Sequence, residues 1–464
     1  MKLRQWQAEC IGKALEQYGS GNTHFMCLAT PGAGKTMMAS ILAKKLLEKG
    51  DIDLVVCLSP SVIVSEDFKS ELKVQTGKRL DGKLGSSGCS LTYQAMLSLG
   101  SDFWTLLLEF RVFVIFDEIH HCAGNGAQNA NAWGERIISQ IQGRAAYTLA
   151  LTGTPWRSDS IPIVLARYCE SKQIHCDYSY GLSQAITDGV CRTPRLTLID
   201  NDQIVFNQGR ECCFYSSFGE LLEQADCSYQ SLVENETLVN YMIGKANQKL
   251  NQLRKQVPDA GGLIVATSVS HARKIHRLLE TQFNEVADIA TYLEEDAISI
   301  IQNFKYSSKK WIISVGMISE GTNLPRLRVC CHLTRVKTEL YFRQILGRIL
   351  RVNGPVAGEG FLYMPAEPTL TEFAHRVAED IPKENVVSFD PMPNPKSCEP
   401  ESSAKVPESC GSLELSPSDF TNDENNPDTL ACGDSLLARS YDATLNMPGR
   451  FKSEMLSFNG FVFL

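Results

Sequence analysis

The segment Thr30-Pro31-Gly32-Ala33-Gly34-Lys35-Thr36 constrains this chain more than any other, because of what stands on either side of it. Before it runs Phe25-Met26-Cys27-Leu28-Ala29, short and apolar like a buried strand. After it, Met37 to Leu47 places apolar residues at helical spacing and stops at Lys49-Gly50. A glycine-rich turn between a strand and a helix aims main-chain N–H groups at phosphate, and a lysine and a hydroxyl at its end add a cation and a metal ligand. Thr30, Pro31, Gly32, Ala33, Gly34, Lys35 and Thr36 are therefore expected to cradle the phosphates of a nucleotide. The strict phosphate-loop pattern has glycine five residues before the second glycine, where this chain has Ala29.

A second apolar run, Val112-Phe113-Val114-Ile115-Phe116, ends in Asp117-Glu118-Ile119-His120. A carboxylate at the end of a buried strand can share a divalent cation with the hydroxyl of Thr36, and its neighbour can orient or deprotonate a water. Phosphoryl transfer to water needs charge neutralised around the γ-phosphate and a water held in line with it. Lys35 is then expected on the β and γ oxygens, Thr36 and Asp117 on Mg2+, and Glu118 on the attacking water. Far along the chain stands Gln344-Ile345-Leu346-Gly347-Arg348-Ile349-Leu350-Arg351. Arg348 and Arg351 lie one helical turn apart, with Gln344 a turn earlier, so all three project from one helix face and can reach across a cleft. GTP-binding proteins and small-molecule kinases share a glycine-rich loop ending in Lys-Thr but do not call for this distant pair. The combination points to hydrolysis of ATP, with ATP and Mg2+ as the implied ligands.

At 464 residues and 43% hydrophobic content, the chain can bury two cores of ordinary size and still have residues to spare. Its 45 basic and 53 acidic side chains give −8, and the imbalance sits at one end. From Ile381 onward thirteen acidic residues face six basic ones, which leaves residues 1–380 nearly neutral. That excludes the broad basic footprint of a protein that binds nucleic acid mainly by counterion release. A grip on nucleic acid has to be local, through loop amides, hydroxyls and helix N-termini. The 16 cysteines are too thinly spread for a disulfide scaffold, and Cys27, Cys57, Cys330 and Cys331 fall inside apolar runs, so they read as reduced thiols. Cys169, Cys176, Cys191, Cys212, Cys213 and Cys227, with His175, form the one stretch worth testing for zinc, at irregular spacing. Met1-Lys2-Leu3-Arg4-Gln5 carries no apolar leader, and no run approaches membrane-spanning length, which predicts a cytoplasmic protein without a membrane partner.

Apolar runs beginning near Phe25, Leu54, Val112 and Ala146 alternate with amphipathic stretches, the pattern of a parallel sheet covered by helices. Residues 1–195 are read as one α/β domain. The pattern loosens between Arg157 and Pro258, and residues 196–257 are read as a connector. A second series starts at Leu263, continues at Trp311 and Leu327, and closes near Phe361, which makes 258–380 a second α/β domain. From 381 to 464 Ser, Pro, Asn, Glu and Asp dominate, and such a composition cannot offset the entropy of ordering, so an acidic disordered tail is predicted. Its last residues, Phe458-Asn459-Gly460-Phe461-Val462-Phe463-Leu464, are an apolar exception suited to docking on this protein or on a protein partner.

Several further segments complete an ordered series: Leu3-Arg4-Gln5-Trp6-Gln7, Leu58-Ser59-Pro60, Thr92-Tyr93-Gln94, Thr152-Gly153-Thr154-Pro155-Trp156-Arg157 and Gly316 to Pro325. With the glycine turn, the Asp117 tetrad and the segment Gln344 to Arg351, they resemble the motifs of superfamily 2 helicases, DEAD/DEAH-box type in a DEIH variant. The resemblance spans roughly residues 1–370 and is nearest to the branch that holds DNA-repair helicases and the motor subunits of restriction enzymes. It implies two RecA-like domains with ATP between them, and a helicase or translocase that couples hydrolysis to domain opening and closing and to movement along nucleic acid, DNA rather than RNA. It also implies that Arg4 and Gln7 read the adenine, and that His120, Thr152 and Thr154 link nucleotide state to the grip on nucleic acid. Ser59, Thr92 and Thr267 would touch a strand's phosphates, while Glu320 and Gly321 would face both ATP and strand. The family often has aspartate where this chain has Asn323. Arg348 and Arg351 are the implied arginine fingers, with Gln344 beside them. The alternatives are a duplex-DNA motor or clamp serving a nuclease or other effector without unwinding, an RNA helicase, and a scaffold whose tail recruits partners. Intact Lys35, Asp117, Glu118, Arg348 and Arg351 argue against the last.

Overall fold

The computed structural model describes residues 3–124, 130–154, 161–168, 174–209, 211–294, 296–318, 324–352, 358–379 and 443–457. In the first half, β1 (His24–Ala29), β2 (Leu54–Ser59), β3 (Gly88–Thr92), β4 (Val112–Phe116) and β5 (Tyr147–Thr152) are followed by a small antiparallel ribbon of β6 (Arg167–Tyr168) and β7 (Ile174–His175), then by β8 (Tyr178–Tyr180). The first sheet runs in the order β3-β2-β4-β5-β1-β8 and is parallel throughout. Every residue of β4 is buried, because helices cover both faces of the sheet, which is why this strand reads as an unbroken apolar run rather than an alternating one. The helix Lys35–Lys49 follows β1 and stops at Gly50, as the sequence predicts.

The second half opens with β9 (Thr193–Asn201) and an antiparallel hairpin of β10 (Ile204–Gln208) and β11 (Glu211–Tyr215). Three helices intervene before β12 (Gly261–Ala266), β13 (Ala287–Thr291), β14 (Trp311–Val315), β15 (Leu327–Leu333) and β16 (Glu359–Pro365), and the described chain closes with β17 (Ala443–Asn446) and β18 (Phe451–Ser457). The second sheet runs β13-β14-β12-β15-β16-β9-β18, parallel except for the antiparallel edge strand β18.

Two features differ from the expected organisation. The stretch 196–257, read as a connector, supplies most of β9, which lies between β16 and the edge strand β18 of the second sheet, and its helix Glu236–Arg254 packs on that sheet, where Asn247 Oδ1 accepts a hydrogen bond from Trp311 Nε1 at 3.1 Å. The hairpin and three helices interrupt the strand–helix alternation, so periodicity lapses while the chain is already in the second core. Residues 443–457, expected within a disordered tail, form two strands: β17 pairs with β10 and β18 with β9. Met447 and Leu456 are buried, and the ring of Phe451 stacks on Tyr241 with centroids 4.3 Å apart. The open edges of β9 and β10 offer unpaired main chain, and a few apolar residues in a short segment are enough to use them. Residues 380–442 and 458–464 lie outside the described residues.

Every cysteine among the described residues is a free thiol, and no group of three or more His, Cys, Asp or Glu side chains there is arranged to hold a metal ion. Of the stretch considered for zinc, Cys169 is outside the described residues, Cys212 and Cys213 are exposed on β11, and Cys191 is buried. No described helix is long and apolar enough to cross a membrane.

Candidate active site

A cleft of about 410 Å³ lies between the two halves, and β1 delivers the glycine turn to its wall. Ala29 ends β1 in register with Tyr180 of β8, an extended position that asks for no glycine, and its carbonyl accepts a hydrogen bond from Lys35 Nζ at 3.1 Å. Gly34 is different. Its φ is +95°, and a Cβ there would stand 2.9 Å from Gln7 Nε2, so glycine alone meets both demands. Gln7 Nε2 donates to the Gly34 carbonyl at 2.9 Å, Arg4 Nη1 donates to the Ala33 carbonyl at 2.5 Å, and Gln7 Oε1 accepts from the Arg4 main chain at 2.9 Å. The two residues expected at the adenine thus line the cleft with their side chains bonded to the turn itself. Thr30 donates its N–H to the Tyr180 carbonyl at 3.0 Å, and Ala33 donates to the Thr30 carbonyl at 3.1 Å. Thr30 and Ala33 are buried beneath the turn, while Pro31, Gly32, Lys35 and Thr36 line the cleft.

Asp117 and Glu118 follow β4 on the same wall, and Lys35 and Asp117 are only 9% and 7% exposed. Lys35 Nζ lies 3.0 Å from Glu118 Oε1. The N–H of Gly153 donates to Glu118 Oε2 at 3.1 Å, and His120 Nδ1 stands 3.4 Å from the same oxygen. Burial pushes the Glu118 carboxyl up, but the Lys35 ammonium, His120 and the Gly153 N–H together outweigh it and hold the group at about 2. Glu118 also has a left-handed backbone, φ 48°, a strained conformation for a non-glycine residue of the kind that clusters at functional sites. His120 Nδ1 lies 3.0 Å from Thr152 Oγ1 and 3.5 Å from Thr154 Oγ1, and Thr152 Oγ1 donates to the Thr154 carbonyl at 2.8 Å. Since the Thr152 proton is spent there, His120 Nδ1 is the donor to Thr152. Lys35, Glu118, His120, Thr152 and Thr154 therefore form one chain of contacts from the glycine turn to the end of β5.

The opposite wall carries Gln344, Arg348 and Arg351. Gln344 and Arg348 lie on the helix Glu339–Ile349, which begins with Thr338 Oγ1 accepting from the Tyr341 N–H at 3.3 Å and is held on the second sheet by buried Phe342, Ile345, Leu346 and Ile349; Arg351, expected on the same helix face, lies two residues past its end, where its main chain bridges to Cys191. Gly347 rests on the glycine turn: a Cβ there would stand 2.6 Å from Pro31 Cβ. Asp67 and Glu71, from the helix Val62–Thr76, also line the cleft and were not foreseen; their i, i+4 spacing on the helix after β2 was the available signal. Burial raises the Asp67 carboxyl, and the charge of Arg351 opposes that without cancelling it.

Some expected residues are elsewhere. Ser59 is fully buried at the end of β2, and Thr267 is buried with its hydroxyl donating to Glu234 Oε1 at 2.6 Å and facing His271 Nδ1 at 3.1 Å. Both hydroxyls face the interior in this arrangement of the chain. Thr92 caps the helix Tyr93–Leu97, its hydroxyl accepting from the Ala95 N–H at 3.0 Å. Glu320, Gly321, Asn323, Pro155, Trp156 and Arg157 lie outside the described residues.

Two parallel sheets covered by helices meet at a glycine turn on one side and an arginine-bearing wall on the other, an α/β architecture of two sheets around one cleft. Residues 1–157 match the family model of the type III restriction enzyme res subunit. Over 390 residues the chain is 32% identical to Rv2917, an uncharacterized protein of Mycobacterium tuberculosis, covering 80% of this chain and 62% of that one. ML1624, an uncharacterized protein of Mycobacterium leprae, is 31% identical over 389 residues, covering 80% and 63%. The chain thus spans about three fifths of the length of these curated relatives. Among solved structures, a fragment assigned as the HsdR subunit of a type I restriction enzyme from Vibrio vulnificus YJ016 matches with a TM-score of 0.56 at 17% identity, over 80% of this chain and 65% of that one. The ATP-dependent type ISP restriction-modification enzyme LlaBIII bound to DNA matches with 0.53 at 14% identity, over 82% and 30%. Dbp5 of S. cerevisiae bound to RNA and ADP BeF3 matches with 0.50 at 11%, over 82% and 88%. The chain shares its fold with all three, and its first 157 residues carry the likeness to the restriction-enzyme res subunit.

Proposed function

We propose that the chain hydrolyses ATP under stimulation by nucleic acid and uses the cycle to move along DNA as a helicase or translocase. The observation that carries this reading is the pairing of walls: Lys35, Asp117 and Glu118 on one side of a single cleft, Gln344, Arg348 and Arg351 on the other. Phosphates entering the cleft compete with Glu118 for the Lys35 ammonium, and a released Glu118 is free to orient a water toward the γ-phosphate. Thr36 and Asp117, an alcohol and a carboxylate on the same wall, are hard oxygen donors that fit Mg2+, which when bound neutralises phosphate charge. Arg348 and Arg351 approach from the second half, so the γ-phosphate bridges the halves and its loss releases them. The contacts from Glu118 through His120 to Thr152 and Thr154 pass that change toward the end of β5.

The match to a restriction-enzyme family model and the likeness to LlaBIII bound to DNA favour DNA. They also favour a second reading, a motor on duplex DNA that serves a nuclease or other effector without separating strands. Steady-state hydrolysis measured with single-stranded DNA, duplex DNA and RNA tests the first reading, with DNA expected to raise kcat. Triplex displacement run beside strand displacement then separates translocation from unwinding. Absence of hydrolysis on all three nucleic acids overturns both readings.

A further inference from the structure

Among the described residues, the chain passes from the first sheet to the second through residues 188–193, and two adjacent side chains there face opposite ways. Cys191 is fully buried with Sγ 3.7 Å from the Pro31 carbonyl of the glycine turn, and its main chain bridges to Arg351. Arg192 turns into the second half. Its main-chain N–H donates to the Leu350 carbonyl at 2.8 Å. Its guanidinium donates to the carbonyls of Ile349 at 2.9 Å and Leu327 at 2.7 Å through Nη1, and to that of Pro325 at 2.7 Å through Nη2.

The side chain is 2% exposed and is held by main-chain carbonyls alone, with Nε finding no hydrogen-bond partner. A buried charge with no carboxylate hydrogen-bonded to it is a poor way to add stability, and an apolar side chain would fill the same space at less cost. The partners show what the charge is suited to instead. Ile349 ends the helix that carries Gln344 and Arg348, where a terminal carbonyl lacks an intrahelical donor and the helix dipole favours a cation. Pro325 and Leu327 belong to the segment that enters β15, and Pro325 lines the cleft. A planar fork can bind several carbonyls in a fixed mutual geometry, which a lysine cannot.

We propose that Arg192 is a positioning residue for the cleft: it locks the end of the Glu339–Ile349 helix and the Pro325 segment to the crossover segment 188–193, whose Cys191 rests on the glycine turn. The spacing of Arg348 and Arg351 from the phosphates is then set through Arg192. This rests on the ATP hydrolysis read above, and the experiment separates the two. Full-length wild type, Arg192→Lys, Arg192→Met and Arg192→Ala are compared for kcat and KM with ATP, under saturating DNA, alongside thermal unfolding. In the folded Met and Lys variants kcat falls by about tenfold to a hundredfold while KM moves by less than about threefold, because misplacing a reacting group costs rate rather than ground-state binding. Added guanidinium ion restores part of the rate to Arg192→Ala and none to wild type. Wild-type kcat in a folded Lys or Met variant overturns the proposal, and so does loss of folding in every variant, which assigns Arg192 to stability alone. An inactive wild type overturns the function itself, and this proposal with it.

Discussion

Lys35 Nζ and Glu118 Oε1 stand 3.0 Å apart, and the proposed hydrolysis requires phosphate to separate them, which makes each separately testable. Lys35→Ala removes the cation from the cleft wall and is expected to lower kcat by at least about a hundredfold, the order seen when a preorganised charge stabiliser is lost. Glu118→Gln keeps the shape and the Gly153 hydrogen bond but not the charge; it should leave ATP binding intact, lower kcat by a similar order, and leave unfolding unchanged, since Lys35 retains the Ala29 carbonyl. Steady-state hydrolysis with thermal unfolding decides the matter, and undiminished turnover in either folded variant removes these residues from the chemistry. Their meeting on one cleft wall was legible in the sequence, because a glycine turn ending in lysine and a carboxylate pair after a buried strand recur at few spacings. Asp67 was not, since a carboxylate on an amphipathic helix is ordinarily a solvated one and only the folded cleft brings it opposite Arg351. The burial of Ser59 and Thr267 was not legible either, because a hydroxyl at a strand end reads as available until its packing is known.

At the scale of elements, the contact between the glycine turn and the arginine helix is made through a missing side chain. A methyl group on Gly347 would stand 2.6 Å from Pro31 Cβ and 3.2 Å from its Cγ, closer than neighbouring carbons sit. Alanine is nevertheless the better helix former by about 1 kcal/mol. Gly347→Ala is therefore expected to leave the second half as stable as before or slightly more so, while wedging the halves apart and lowering kcat by about tenfold or more. Unfolding scans and kcat measured together check this, and a variant with full kcat would mean that the halves need not approach this closely. The helix itself was readable from its apolar positions and from Thr338 ahead of it, and the central strands from their unbroken apolar runs. The elements that escaped, β9 and the three helices after β11, lack a repeating period of their own, and their places depend on partners far along the chain: β9 pairs with β16 across more than a hundred and fifty residues of sequence.

For the whole molecule, the second sheet is closed by residues that composition assigned to a tail. β18 covers the edge of β9 over seven register positions, Leu456 is 1% exposed, Met447 is 7% exposed, and the Phe451 ring lies on Tyr241. Asn235 Nδ2 donates to the Leu445 carbonyl at 2.8 Å and Asn201 Nδ2 to the Gly449 carbonyl at 3.2 Å, so polar groups of the second half are satisfied by the same segment. A version ending at Asp442 loses these contacts while keeping every residue of the cleft. Removing two buried apolar side chains costs about 2–5 kcal/mol for each when a core position is emptied, and baring the β9 edge adds a surface prone to pairing with another chain. Truncation should therefore lower the Tm of the second half by on the order of 10 °C and promote association, with the transition of the first half left in place. Calorimetry with limited proteolysis distinguishes the halves. A truncated chain that melts like the full one would mean that β9 tolerates an open edge, and that the closing strands contribute nothing to the platform carrying Arg348 and Arg351.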